Sequence, residues 1–138
     1  MILLDSSFLI GYHNTRDVHH AAAARVMVHL VAGQWGRALL LEYVFLEVVT
    51  VLLARRGLDV STRVATALLQ AREIDFVPCS ELFFDVWATF RDQPDGGRLS
   101  FTDAALVTVA RRDVTEQGYV ATFDADFKGV PGLVVIPD

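Results

Sequence analysis

Five carboxylates are placed where they could act together. Asp5 ends the apolar run Met1-Ile-Leu-Leu. Glu47 lies inside Tyr43-Val-Phe-Leu-Glu-Val-Val-Thr-Val-Leu-Leu53. Asp103 closes Ser100-Phe-Thr-Asp103, and Asp124 and Asp126 fall in Thr122-Phe-Asp-Ala-Asp-Phe127. Oxygen donors without sulfur or histidine suit a hard divalent ion, Mg2+ or Mn2+. Mg2+ takes one or two carboxylates and keeps several waters. Four or more acids therefore point to two ions, or to one ion and a general base. Such a centre lowers the pKa of an attacking water and stabilises a departing oxygen, as phosphodiester hydrolysis requires. No Ser-His or Cys-His pair is legible as a protein nucleophile, which leaves that role to water.

Each acid has a simpler reading as well. Ser100 and Asp103 fit a capping box, with Asp in place of the usual Glu. Asp103 also continues the stripe Leu106, Val107, Ala110, which points toward the sheet. Asp124 and Asp126 suit a turn with an Asp helix cap, and so does Asp5, with Ser6 and Ser7 beside it. Glu47 either faces a narrow polar edge of its helix or is buried and needs a partner; Arg55 and Arg56 are the nearby cations. Glu42, at the helix start, favours the positive end of the macrodipole. Taken together, these separate readings must still explain why distant elements deliver acids to one sheet end.

The elements that would position them alternate strand and helix. Apolar runs predict strands at Met1–Leu4, Arg37–Leu41, Ile74–Val77, Tyr119–Thr122 and Leu133–Ile136. Helical spacing predicts a short helix from Ser6 to Ile10 and another carrying Val18, Ala22, Val26 and Leu30, stopped at Gly33. A third runs from Tyr43 to Arg56, apolar on nearly every side and closed by Gly57. A fourth is capped by Asp59, with Val60, Val64, Leu68 and Ala71 inward. The last two run from Ser80 to Asp92, striped by Leu82, Phe83, Val86, Trp87 and Phe90, and from Phe101 to Asp113. Pro94-Asp-Gly-Gly97 is the clearest loop. This order implies one α/β domain over 1–138, with about five parallel strands, right-handed crossovers and helices on both faces. Ligand sites in such sheets form beyond the carboxyl ends of the strands.

Composition agrees. The 138 residues are 53% hydrophobic, enough for one substantial core. Seventeen acids against twelve bases give a net charge of −5, which argues against coating nucleic acid by bulk charge. Cys79 is the single cysteine, so neither a disulfide framework nor a thiolate zinc site is expected. His13, His19, His20 and His29 lack zinc-ligand spacing, and His19-His20 reads as an exposed helix start. No signal peptide or membrane span is legible, and a reducing, cytoplasmic setting is expected.

With these residues in place, the chain resembles a PIN domain, specifically a VapC-type toxin ribonuclease of prokaryotic toxin–antitoxin modules. The resemblance rests on Leu3-Leu-Asp5-Ser-Ser-Phe-Leu-Ile10, Leu46-Glu47-Val48, Leu99-Ser-Phe-Thr-Asp103-Ala-Ala105 and Thr122-Phe-Asp124-Ala-Asp126-Phe127, followed by Val130-Pro-Gly-Leu133. They stand in the family's order and spacing along essentially the whole chain. It implies a Mg2+- or Mn2+-dependent endoribonuclease in which Asp5, Glu47, Asp103 and Asp124 form the acidic quartet. Asp126 would be an auxiliary ligand, and Ser6 and Thr122 would help hold the acids or water. The resemblance further implies an RNA substrate, a homodimer and a small antitoxin partner. Glu42 departs from the family pattern, which often has a small polar residue there; the apolar flanks of Glu47 favour Glu47 as the ligand.

Two other readings compete. A PIN-type fold can serve as a non-catalytic RNA- or protein-binding module, although a scaffold has no need of a repulsive acidic cluster. A phosphoryl-transfer domain also places acids at strand ends, but the phosphatase pattern wants a second Asp at the position held by Ser7.

Overall fold

A computed structural model describes residues 1–112 and 117–138. Its centre is β1 (Ile2–Leu4), whose three residues are all fully buried. Successive strand side chains point to opposite faces, so total burial means that β1 is covered on both sides. The chain continues through α1 (Ser6–His13), α2 (His20–Val31), β2 (Ala38–Leu41), α3 (Glu42–Arg56), α4 (Leu58–Gln70), β3 (Ile74–Val77), α5 (Phe83–Arg91), α6 (Phe101–Ala110), β4 (Gly118–Ala121) and β5 (Leu133–Ile136). Short 3-10 turns cover Ser80–Leu82 and Ala125–Phe127.

The sheet has the order β3-β2-β1-β4-β5, and every neighbouring pair is parallel. The chain moves outward from β1 to β2 and β3, then returns to pair β4 on the other side of β1. The order thus reverses between β1 and β4, and such a switch opens a crevice at the carboxyl ends of those two strands. Leu4 is in register with Ala121. The residues that follow them, Asp5 and Thr122–Asp124, therefore leave the sheet side by side.

The expected α/β class and parallel five-stranded sheet are observed. Several details differ. Val18 lies before α2 and is almost fully exposed; the buried face is Ala23, Val26 and Leu30. Asp59 does not cap α4, because Gly57 holds the N-cap position at φ +88°, a conformation open to glycine. The helix expected over Ser80–Asp92 divides into a 3-10 turn and α5. Only Leu82 and Val86 of its supposed stripe are buried. Phe83, Trp87 and Phe90 sit partly exposed, with Phe83 and Phe90 against Phe101. A nine-residue helix packed edge-on offers the core only one or two positions, and its rings spread over the rim. The last long helix stops at Ala110; its expected end at Asp113 lies outside the described residues.

α3 is less apolar in context than in sequence. Val44, Val48 and Leu52 form its buried line, whereas Leu46, Leu53 and Glu47 are exposed. Of the two readings open for Glu47, the exposed polar edge is the one found.

Candidate active site

The best-fixed carboxylate is Asp5. It occupies the N-cap position of α1, yet its side chain makes no capping bond. The group is instead nearly buried and receives the hydroxyls of Ser7 (2.9 Å) and Thr122 (2.6 Å), both at Oδ2. Each hydroxyl in turn accepts a backbone amide: Phe123 N–H reaches Ser7 Oγ, and Asp124 N–H reaches Thr122 Oγ1, each at 2.9 Å. A hydroxyl has one proton to give. With the amides supplying the acceptor side, both protons point to Asp5. Two short relays therefore run from the β4 exit to the β1 exit.

Asp103 sits one turn inside α6. Its capping box is real: Ser100 Oγ accepts from Asp103 N–H, and Asp103 Oδ2 accepts from Ser100 N–H, both at 3.1 Å. The residue is also buried and close enough to Asp5 and Asp124 to feel both charges. Capping and membership of the acidic cluster prove compatible. Burial, and then the neighbouring carboxylates, push the Asp103 carboxyl up to about 6, against the bonds from Ser100. Burial likewise raises Asp5, opposed by Thr122 and Ser7 and reinforced by Asp124. No basic side chain among the described residues offsets the charge of either acid.

Asp124 caps the turn behind it, accepting Asp126 N–H at Oδ1 (2.9 Å). Phe127, fully buried, pins that turn to the core. Glu47 joins from the other side, where Ser6 Oγ donates to its Oε1 over 2.9 Å. The structure thus couples Asp5, Asp103 and Asp124 directly and ties Glu47 to them through Ser6. Asp126 is exposed on the rim, outside the mutually coupled group. Neither Arg55 nor Arg56 pairs with Glu47; Arg56 donates to Asn14 instead. Glu42 turns away and accepts the Cys79 amide (2.8 Å), which gives it a structural task.

One pattern recurs in the quartet. Hydroxyl or amide donors anchor an oxygen of each acid: Asp5 Oδ2, Glu47 Oε1, Asp103 Oδ2 and Asp124 Oδ1. Among the described residues no buried side-chain oxygen lacks a partner. No three His, Cys, Asp or Glu side chains among the described residues converge as placed on one metal-binding point. As placed, the described acids offer any one point at most two protein ligands.

Sequence reasoning read Ser7 only as a further helix-cap candidate, although a second hydroxyl two positions after a strand-end Asp is the signal it carries. Nor did it foresee that His19 stacks flat on Phe123 (centroids 4.3 Å apart, planes at 6°) beside Asp124.

The family model of the PIN domain matches residues 2–133. The chain belongs to the PIN domain family. A VapC ribonuclease of Archaeoglobus fulgidus is 34% identical over 50 residues, a stretch that covers 36% of this chain and 32% of that protein. The crystal structure of Mycobacterium tuberculosis VapC20, described as a toxin that cleaves the sarcin-ricin loop, is similar at TM-score 0.77 and 25% identity over 92% of each chain. For this PIN domain no helix among the described residues is long and apolar enough to cross a membrane.

Proposed function

We propose that this PIN domain is a metal-dependent endoribonuclease, the toxin half of a toxin–antitoxin pair. The observation that carries the reading is the quartet Asp5, Glu47, Asp103 and Asp124, each anchored by hydroxyl or amide donors, with Asp5, Asp103 and Asp124 close enough to repel one another. The likeness to a VapC ribonuclease and to a toxin that cleaves the sarcin-ricin loop supports it. On this reading the protein works in the cytoplasm as a homodimer, held in check by a small cognate antitoxin.

The four acids would hold Mg2+ or Mn2+, with Asp126 reaching it through water. A bound ion would supply a low-pKa water and charge stabilisation for the phosphodiester. The chain's own part is positional. Ser7 and Thr122 lock Asp5, Ser100 locks Asp103, the Asp126 amide locks Asp124, and Ser6 turns the exposed Glu47 toward α1. Repulsion between Asp5, Asp103 and Asp124 is the free-energy cost that a cation would relieve.

The test is cleavage of single-stranded RNA by purified protein in Mg2+ or Mn2+ and in excess EDTA, beside calorimetric metal titration. Asp5→Asn abolishes cleavage and weakens metal binding while the fold survives. Ser6→Ala lowers activity about 10–100-fold through Glu47. Cleavage that persists in EDTA with a clean preparation refutes the metal mechanism. RNA binding without metal binding favours the non-catalytic module.

A further inference from the structure

A groove opens between the loop that precedes α6 and the turn that follows β4; its wall includes Asp126, two residues on from Asp124. Arg98, Arg111 and Lys128 line it. In a chain of net charge −5, three of the twelve basic residues converge here. None of the three side chains makes a hydrogen bond or ion pair with a described residue. Asp92 also lines the groove, but both of its oxygens are taken by Arg91. Asp126 is therefore the uncompensated acid among the described lining residues.

The loop bearing Arg98 is braced from within. Gln93 Nε2 donates to Leu99 O at 2.9 Å, and Leu99 N–H donates back to Gln93 Oε1 at 2.9 Å. Gly97 passes so close that a Cβ there would come within 2.6 Å of the Gln93 side chain. The brace fixes the base of the loop next to Arg98. A cation on a braced loop, with no described partner, is open to a ligand from outside, and an arginine fork suits phosphate oxygens.

We propose that this groove seats the backbone phosphates of a single RNA strand next to the phosphodiester at the quartet, with Arg98, Arg111 and Lys128 as contacts. The inference rests on the ribonuclease reading for its choice of polyanion. It also answers a difficulty in that reading: a cluster of carboxylates repels RNA, and the strand needs local positive charge to approach. Asp126 marks the boundary where the basic groove meets the acidic centre.

The experiment measures binding of a fluorescein-labelled single-stranded RNA to the intact protein in excess EDTA over a series of salt concentrations. The unaltered protein is compared with the triple variant Arg98→Gln, Arg111→Gln, Lys128→Gln. A second triple variant, Arg25→Gln, Arg55→Gln, Arg63→Gln, removes equal charge elsewhere. Each lost phosphate contact lowers the slope of log affinity against log salt by about 0.7. The groove variant is expected to lose about 2 from that slope and the control far less. Equal slopes for the two triple variants overturn the proposal, as does absence of RNA binding by the unaltered protein. A parallel arm in Mg2+ separates the two readings. Binding that depends on the groove without cleavage leaves this proposal standing and removes the nuclease reading. Cleavage with slopes indifferent to the groove does the reverse.

Discussion

Thr122 Oγ1 donates to Asp5 Oδ2 across 2.6 Å, joining residues 117 positions apart in the chain. That hydroxyl also accepts the Asp124 amide and lies 3.1 Å from Ser7 Oγ. It is nearly inaccessible to solvent. One side chain thus sets the relative position of two of the quartet's acids.

Thr122→Val keeps the shape of the side chain and removes the hydroxyl. Asp5 loses a donor and the Asp124 amide loses its acceptor. The expected loss of stability is about 1–3 kcal/mol, read from urea unfolding. On the proposed metal-dependent reading, the expected loss of RNA cleavage is about 10–100-fold, the range for residues that orient metal ligands. A variant that keeps full cleavage would show that the relay holds the fold alone.

Glu42→Ala should behave in the opposite way. Glu42 accepts the amide of fully buried Cys79, and the truncation strands that donor. Unfolding should move to lower urea by an amount equivalent to about 1–3 kcal/mol. Cleavage per folded molecule should stay at the wild-type level, whereas Glu47→Gln should lose it. Equal loss of activity in both variants would place Glu42 in the site after all.

The raised carboxyl of Asp103 makes stability depend on pH. In the unfolded chain this group releases its proton near 3.8; in the fold it holds it to about 6. Its contribution is therefore fully present below 3.8 and is lost as pH rises through about 6. In EDTA, the stability difference between wild type and Asp103→Asn should shift against the wild type from pH 4 to pH 7.5. Added Mg2+ should restore the wild type at the upper end, where the acids are ionised. A difference that stays flat across this range would mean that Asp103 is not crowded by charge.

Much of this was legible in the sequence because the strands are short, apolar and bounded by polar residues. The run Met1–Leu4 could be followed only by an exit, and Asp5 is that exit. The reversal of strand order between β1 and β4 was not legible, since periodicity carries no information about which parallel strands become neighbours. That pairing is what brings Thr122 and Asp124 to Asp5. The environment of Glu47 was readable only as a choice, because α3 is apolar on faces that the fold leaves open. The α5 stripe misled for a related reason: Phe83, Trp87 and Phe90 share the spacing of core residues, yet they sit on the rim. Ser7 was read as a cap candidate because a hydroxyl after a strand-end Asp fits a helix start equally well.

Because β4 is laid against β1 only after β2, β3 and six helices have been made, the pocket at the ends of β1 and β4 is assembled late in synthesis. A nascent chain emerging from the ribosome would carry Asp5 long before Thr122 exists to hold it. Synthesis halted anywhere upstream of Thr122 would leave a fragment in which Asp5 lacks that donor and the Asp124 carboxylate beside it.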